Sequence, residues 1–577
     1  MTENDWKRRA ENLAPWVAGL MLAAPVLVAF YPPMTDLPYH EAAIAILRNF
    51  YDRRLFPEGL YVHNIGAPNQ LFHLVGWALA YPFGSRWAVK LVVAGAVVAV
   101  PVCAARFARH VGANPIAALL VAPMSVGWLF NWGLIANLLG LAALLATLPL
   151  LDRYAERPTS RGGAAALGAL PLLFLAHEAM MFVYAGAALL FALAYPLSWK
   201  KTSARLAPFA AAGAITLGHI AWQRHLLSPA VAAMPRFWHP LLHKLERIPF
   251  IVLPASDPLV QLSMLALCAG AVGSFLWLRT RERRAAKAGV APEPQPPSSR
   301  FVRLQRWVVR HRWGCFSAGL FAAYLAFPLT LSGATLVYQR WFPPAFAAFV
   351  VSAAPRDLWV RPARIARVIA MLLPVATLLV AWPSFADSGR AYQTLEQLMP
   401  LIEPGSAIAE LDLGPGDPSR TFSMGPSGGR VLATRGGRLD YAFTDSPISP
   451  VVIPRRYQWN ESLIRLGFDS WAFRPAHDFK SFRYVLVRTS SADVAALAQI
   501  VLAPEGKYVQ TAGEWVLFES TLPVIPPASR PLHLPKPPPE ELRDRAASLV
   551  ERMGGVPTLS VPPEPAPDAV EPNGQRF

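Results

Sequence analysis

The sequence is poor in charged residues and in cysteine. Only 16% of its 577 residues are charged and 54% are apolar, whereas soluble domains have about 25% charged and roughly 45–50% apolar residues. This deficit argues against an ordinary soluble chain, and the repeated long apolar runs predict a polytopic membrane protein. The three cysteines, Cys103, Cys268 and Cys315, fall in or beside apolar runs. Their spacing predicts neither a metal site nor a disulfide framework.

The signature motifs of several enzyme classes are also missing. There is no Walker loop, dinucleotide fingerprint, serine elbow or HExxH sequence, which argues against an ATP-driven pump in this single chain. The net charge of +17 is not accompanied by a compact basic module with a nucleic-acid motif. We therefore predict that no nucleic acid is bound, and we assign the surplus Lys and Arg to cytoplasmic loops.

The distribution of basic residues predicts the topology. Basic residues 7–9 precede the apolar run 13–31, which is long enough to span a bilayer. No small-residue cleavage site follows, so we interpret this run as an uncleaved anchor. The basic flank places the N-terminus in the cytoplasm and the loop 32–68 outside. The remaining runs predict about eleven spans in a bacterial inner membrane, provided that residues 71–83 do not cross.

Four other segments complete the prediction for the membrane part. Run 163–197 is long enough for two spans, with a break at His177 and Glu178. Run 116–130 is expected to form one span, residues 223–257 an external loop, and the basic block 279–312 a cytoplasmic surface attracted to anionic lipid.

The C-terminal third changes character. We predict a transmembrane domain over residues 1–389, a small extracytoplasmic α/β domain over 390–521 and a Pro-rich, largely disordered tail over 522–577. The expected strands are short runs bounded by Gly, Pro and Asp. They cover residues 407–413, 430–434, 484–488 and 515–519, with helices at 493–501 and 540–553.

The first external loop opens with an acidic sequence, PPMTDLPYHE at residues 32–41. Asp36 lies five residues beyond the anchor, where a carboxylate can act as a general base on an acceptor hydroxyl. The alternative is that Asp36 caps the helix that follows. Spacing over residues 39–55 predicts that this helix is amphipathic and lies at the interface.

Several polar residues are candidates for ligand binding. The pair His177 and Glu178 sits at an apolar boundary, where polar groups normally face a cavity or a partner. Arg340 occupies a short outer turn and suits a lipid phosphate, although it also suits headgroup anchoring. Arg224 in the external loop is a weaker candidate for an anion. The residues identify no metal site; a divalent cation is left open as a cofactor.

The order of these parts resembles the GT-C superfamily of integral membrane glycosyltransferases. The resemblance covers residues 10–520 in layout and includes the loop acid Asp36, a His near an outer boundary at His177, and the sequence RWFP at residues 340–343. An adjacent Asp-Glu pair and a Trp-Trp-Asp motif are absent. The resemblance implies a GT-C-like, mainly α-helical membrane bundle with a soluble extracytoplasmic domain.

The resemblance also implies a function. The donor would be a sugar on a polyprenyl phosphate, and the acceptor a lipid, glycan or protein. Asp36 would be the catalytic base and Glu41 the second choice. Arg340 and Arg224 would hold the donor phosphate. The sugar pocket would be shaped by Tyr39, His40, His177 and Glu178.

Two other functions remain open from the sequence. A transporter or flippase for a lipid-linked or anionic solute would need charges along a path through the bilayer midplane. The sequence offers little there beyond His219 and the pair His177 and Glu178. A non-catalytic assembly factor would use the external domain and the Pro-rich tail to recruit partners.

Overall fold

The structure is a computed structural model that describes residues 3–195, 198–223, 237–254, 257–288, 300–331, 336–413, 427–454, 457, 466, 469–524 and 541–552. Helices dominate these residues. The first ten helices are α1 (Glu3–Val28), α2 (Leu37–Arg48), α3 (Leu71–His110), α4 (Trp128–Asn131), α5 (Ile135–Glu156), α6 (Ser160–Ala176), α7 (Glu178–Ala194), α8 (Trp199–Gln223), α9 (Leu241–Glu246) and α10 (Ile248–Val252). The later ones are α11 (Pro258–Ala288), α12 (Arg300–Ala326), α13 (Phe342–Ala353), α14 (Arg364–Leu398), α15 (Gly428–Arg435), α16 (Pro475–Asp478), α17 (Ala492–Leu502) and α18 (Leu542–Arg552).

The protein is a mainly α-helical membrane protein. Among the described residues, five helical stretches are long and apolar enough to cross a bilayer: Asp5–Val28, Leu71–His110, Ile135–Glu156, Pro258–Arg284 and Arg361–Leu401. Shorter apolar helices accompany them, among them α6 and α7. The count of about eleven spans stays a prediction.

Two apolar runs differ from their predicted form. Residues 71–83 and the following predicted span are joined in α3, where Gly84 has φ 77° and ψ 161° and breaks the helical geometry. A positive φ is readily adopted by glycine, so the chain can kink there. Run 116–130 is not one continuous helix. It forms the 3₁₀ turns Pro115–Leu120 and Ala122–Val126 and then α4, because proline occupies the first or second position of both turns and cannot continue a preceding helix.

The predicted break at His177 is confirmed. Helix α6 ends at Ala176 and α7 begins at Glu178, while His177 between them is extended, with φ −167° and ψ 123°. A polar pair inside a long apolar run therefore marked a helix boundary.

The chain divides into two compact units. The first contains Met1–Val28, Ala67–Phe72 and Leu91–Pro383. The second contains Ala29–Gly66, His73–Lys90 and Ser384–Phe577. Most of the predicted first external loop therefore groups with the C-terminal segment.

A mixed five-stranded sheet organises the second unit. Its strands are β2 (Ala407–Asp412), β3 (Arg438–Leu439), β5 (Tyr484–Arg488), β6 (Gly506–Ala512) and β7 (Trp515–Ser520), in the order β3-β2-β5-β7-β6. β2 is parallel to β3 and β5, whereas β7 is antiparallel to β5 and β6. A separate two-stranded ladder pairs β1 (Val62–His63) with β4 (Val451–Val452).

Most short elements of this unit agree with the sequence-based prediction. The strands expected near residues 407–413, 484–488 and 515–519 and the helix at 493–501 are present. Residues 430–434 were expected to form a strand, and this was wrong because they belong to α15. The strands β3 and β6 were not predicted. In the tail, the helix predicted at 540–553 is present as α18, and the rest of residues 522–577 lies largely outside the described residues.

Helix α2 is buried within the second unit, so its predicted interfacial, amphipathic placement was wrong. Every residue from Leu37 to Leu47 is buried, whereas Tyr51, expected on the apolar face, is 79% exposed. α2 packs against α15 at very close range. A Cβ at Gly429 would come within 2.4 Å of the Pro38 backbone, so glycine is required at this contact.

Candidate functional site

Asp36 lies at the first turn of α2 and is partly exposed. It occupies the N-cap position, yet its side chain makes no capping hydrogen bond. The Asp36 carboxylate therefore does not cap the helix, which was the alternative to a role as a general base. Asp36 interacts electrostatically with Tyr39 and Tyr441. Burial, Asp445 and Asp36 together raise the pKa of Tyr441 above its usual range, so this phenol stays protonated beside the loop acid.

Glu41, five residues further on, is enclosed by hydrogen-bond donors. It is fully buried and accepts hydrogen bonds from Arg430 Nη1 at 2.6 Å, Ser85 Oγ at 2.9 Å and Tyr31 Oη at 3.0 Å. Arg430 also donates to Glu396 Oε1, with Nε at 2.8 Å. Although burial opposes the charged form, Glu41 and Glu396 raise the pKa of Arg430 above its usual value. A buried ion pair with this many partners suits a structural role.

Tyr39 and His40 pack against aromatic side chains, Tyr441 and Phe443, in the segment after β3. The Tyr39 ring lies 5.6 Å from Tyr441 and 5.3 Å from Phe443, centroid to centroid. His40 packs edge-on against Phe443 at 4.8 Å, and its Nδ1 is 2.9 Å from His73 Nε2. One nitrogen of this histidine pair must donate and the other accept. The acidic sequence at residues 32–41 is therefore held in place by aromatic packing as well as by the ion pair between Glu41 and Arg430.

Three further acids of the second unit, Glu410, Asp440 and Asp445, were missed by the sequence analysis. Glu410 accepts hydrogen bonds from the backbone amides of Ser427 at 2.7 Å and Gly428 at 2.5 Å. Burial raises the pKa of Glu410 to about 7, that of Asp445 to about 6, and that of Asp440 well above its ordinary value. The available signal was a charged residue inside the apolar strand 407–413.

Glu410 and Asp440 meet because their strands are neighbours. β2 and β3 are parallel, with Ile408 opposite Leu439, so Glu410 within β2 lies close to Asp440, which directly follows β3. Asp440 Oδ1 accepts a hydrogen bond from the Glu410 amide at 3.3 Å. Both carboxylates interact electrostatically with Tyr39 of the acidic loop.

The second group of candidates, His177, Glu178 and Arg340, lies in the first unit. Arg340 Nη1 is 3.0 Å from His177 Nε2. The Glu178 amide donates to Asn69 Oδ1 at 2.9 Å, and the Glu178 carboxylate interacts electrostatically with Arg340. His177 is packed tightly against α5, because a Cβ at Gly140 would come within 2.7 Å of the His177 Cβ.

His177 lies between two donors. The Ala179 amide is 3.0 Å from Nδ1, and Arg340 Nη1 is 3.0 Å from Nε2. A neutral imidazole has one acceptor nitrogen and one N–H group, so the tautomer of the ring decides which of these two contacts is a hydrogen bond. The guanidinium of Arg340 has five N–H donors in a planar fork, which is the arrangement that binds phosphate groups. Arg340 is therefore a candidate ligand for a phosphate.

The candidates fall into two groups. Asp36, Tyr39, His40 and Glu41 are together in the second unit, where Tyr39 interacts electrostatically with Glu410 and Asp440. His177, Glu178 and Arg340 are together in the first unit. Arg224 lies outside the described residues. Within the described ranges, no group of three or more His, Cys, Asp or Glu residues is arranged to hold a metal ion.

Comparison with solved structures identifies the fold. The structure of ArnT from Cupriavidus metallidurans in the apo state aligns over 91% of this chain and 98% of its own, with a TM-score of 0.52 and 12% identity. The chain has an ArnT-like fold. The same enzyme bound to undecaprenyl phosphate aligns over 91% of this chain and 100% of its own, with a TM-score of 0.50 and 12% identity. No protein-family model and no curated protein sequence matches.

ArnT is a GT-C glycosyltransferase, so the resemblance to the GT-C superfamily is confirmed for the fold. The ArnT-like fold extends over nearly the whole chain and includes both a helical membrane part and a small sheet region. At 12% identity the similarity concerns the fold alone.

Proposed function

We propose that the protein is a membrane glycosyltransferase. It moves a sugar from a polyprenyl-phosphate-linked donor to a lipid, glycan or protein acceptor at the outer face of the inner membrane. The ArnT-like fold supports this class, since one matched structure holds undecaprenyl phosphate. The observation that carries the proposal is Arg340 held beside His177, because the guanidinium suits the phosphate of such a lipid.

In the proposed reaction, Asp36 removes the proton from an acceptor hydroxyl. The oxygen attacks the anomeric carbon of the donor sugar while the bond from that carbon to the phosphate oxygen breaks, which inverts the anomeric configuration. Polyprenyl phosphate leaves with an additional negative charge, and Arg340 binds it. A general base of this kind contributes about 10²- to 10⁴-fold in rate.

The remaining candidates are assigned by their surroundings. Glu41 is fully enclosed by donors, so the proposal makes it a positioning residue and gives the base role to Asp36. Tyr39, His40, His177 and Glu178 shape the sugar pocket. Arg224 is retained from the sequence as a second ligand of the donor phosphate. In this proposal the N-terminus is cytoplasmic and residues 390–521 are outside.

The replacement Asp36→Asn tests the proposal, because the amide cannot accept the proton. We expect product formation to fall by about 100-fold or more at normal protein levels. Glu58→Gln is the matched control, since Glu58 lies in the same predicted loop with its side chain 82% exposed, and it should leave product formation unchanged. Glycan and lipid products would be measured in cells that express each variant. Unchanged product in Asp36→Asn would remove Asp36 from the base role.

A further inference from the structure

The segment that begins at Phe237 and includes α9 and α10 exposes a row of apolar side chains. These are Phe237, Trp238, Leu241, Leu242 and Leu245, which are 40–68% exposed. Large apolar side chains gathered on one short helical segment indicate contact with lipid or with another apolar surface. Helices that lie at a membrane interface have Trp, Phe and Leu on one face, as this segment does.

The other side of the same segment carries a row of polar groups at four-residue spacing, His239, His243 and Arg247. The rings of His239 and His243 lie 4.4 Å apart, and Arg247 Nε is 3.3 Å from His243 Nε2. At its inner end, His239 Nδ1 is 3.0 Å from the hydroxyl of Tyr338. Tyr338 begins the turn Tyr338–Trp341 that contains Arg340. The row therefore leads to the turn that carries the proposed phosphate ligand.

The segment is fastened to the end of α12. Lys244 Nζ donates to the carbonyls of Leu325 and Phe327, both at 2.7 Å, and so caps the C-terminus of that helix. The Phe237 amide donates to Thr330 Oγ1 at 3.0 Å, and the Phe237 carbonyl accepts from the Leu329 amide at 2.7 Å. The polar row is thus a fixed surface, with its apolar side held outward.

We propose that residues 237–247 form a lipid-facing surface that binds the phosphate of polyprenyl phosphate, the product of the proposed transfer, as it leaves Arg340. The inference rests on the proposed function and deepens it. The apolar row would lie among the lipid chains, while His243, His239 and Arg247 would supply donors at headgroup level. Charge complementarity favours this occupant, because a guanidinium and two imidazoles in line suit a phosphate monoester. The isoprenoid chain of the same molecule suits the neighbouring apolar row.

The experiment measures undecaprenyl phosphate binding by the full-length protein in nanodiscs of phosphatidylcholine. The test variant is His243→Ala/Arg247→Ala. Its matched control is Arg303→Ala, which removes an exposed arginine of α12 on the side predicted to be cytoplasmic. We expect the double variant to bind about tenfold more weakly or worse, and the control to bind as the wild type does. Arg247→Gln, a milder change at a partly exposed residue, should show a smaller loss and serves if the double variant does not fold.

A second arm identifies the ligand. Nanodiscs that contain phosphatidylglycerol should not compete, because its phosphate is a diester without the second negative charge of the monoester. Equal competition by phosphatidylglycerol would overturn the inference in favour of a general anionic surface. Unchanged binding in both test variants would overturn it as well.

Arg340→Ala separates this inference from the proposed function. If Arg340→Ala no longer binds undecaprenyl phosphate while the variants of residues 243 and 247 bind it normally, the inference about residues 237–247 is wrong and the proposed function stands. If the wild type does not bind undecaprenyl phosphate, the proposed donor class fails and the inference fails with it.

Discussion

Arg430 in the second unit and Arg340 in the first are both largely withdrawn from the surface, but they meet different partners. Arg430 donates to two carboxylates, those of Glu41 and Glu396, at 2.6–2.8 Å. Arg340 Nη1 lies 3.0 Å from the imidazole of His177, and the Glu178 carboxylate interacts with Arg340 electrostatically. The first guanidinium therefore bonds directly to two carboxylates, whereas the second contacts an imidazole.

This difference indicates that the charge of Arg430 stabilises the fold, whereas the charge of Arg340 suits a ligand. A buried ion pair contributes little net stability, but removing one partner leaves a charge uncompensated in a medium of low polarity. The centre around Arg430 should therefore respond to mutation with a loss of folding. A guanidinium beside an imidazole suits an anionic ligand, because both groups carry N–H donors. The contact between His177 and Arg340 should respond with a loss of binding.

The largest effect is expected for Arg430→Ala. It leaves the fully buried Glu41 without its cation, which should reduce stability by about 3–5 kcal/mol. The measurement is thermal unfolding of the purified protein in detergent, together with its yield. Adding Glu41→Gln should restore part of the loss, since no buried carboxylate then lacks its counter-charge. A melting temperature unchanged in the single variant would contradict the structural role of this pair.

The Arg430 centre also shows what the sequence could not reveal. Glu41 and Arg430 are 389 residues apart, and no local pattern connects them. The pattern of residues 39–55 suggested an amphipathic surface helix, but α15 covers α2, so the polar side chains of His40 and Glu41 are buried against partners from distant segments. The short run 430–434 was misassigned because periodicity over only five residues does not distinguish a strand from a helix.

Other parts of the fold were predictable because their signals are local. The boundary at His177 follows from a polar pair inside an apolar run. The strands β5 and β7 follow from short runs rich in β-branched and aromatic residues. The candidate site was predictable only as separate residues: Asp36, His177 and Arg340 each stood out at an apolar boundary. The contact between His177 and Arg340 depends on tertiary packing across 163 positions.

An intermediate effect is expected for Arg340→Ala. Loss of a charge-assisted hydrogen bond costs about 1.5–3 kcal/mol, so undecaprenyl phosphate should bind roughly 10- to 100-fold more weakly. The melting temperature should change little, in contrast to Arg430→Ala. Arg340→Lys should recover part of the affinity, because it keeps the charge but loses the planar donor pair. If Arg340→Ala instead destabilised the protein as strongly as Arg430→Ala, the distinction between the two centres would fail.

The smallest effect is expected for the pH dependence of stability that comes from Glu410, whose carboxylate accepts hydrogen bonds from two backbone amides. Burial raises its pKa from an ordinary value of 4.5 to about 7. Between these values the folded protein keeps a proton that the unfolded chain releases, so this contribution to stability is full below pH 4.5 and is lost as the pH rises through 7. From pH 6 to 7.5 the loss amounts to about 1 kcal/mol.

Thermal unfolding across that pH range, compared between the wild type and Glu410→Gln, measures this contribution. The variant should lose this part of the pH dependence, whereas Glu403→Gln, at a side chain 66% exposed, should keep it. Identical slopes in the wild type and Glu410→Gln would mean that Glu410 is ionised throughout. The amides of Ser427 and Gly428 favour that state, and this buried carboxylate would then be held by backbone donors, whereas Glu41 is held by the guanidinium of Arg430.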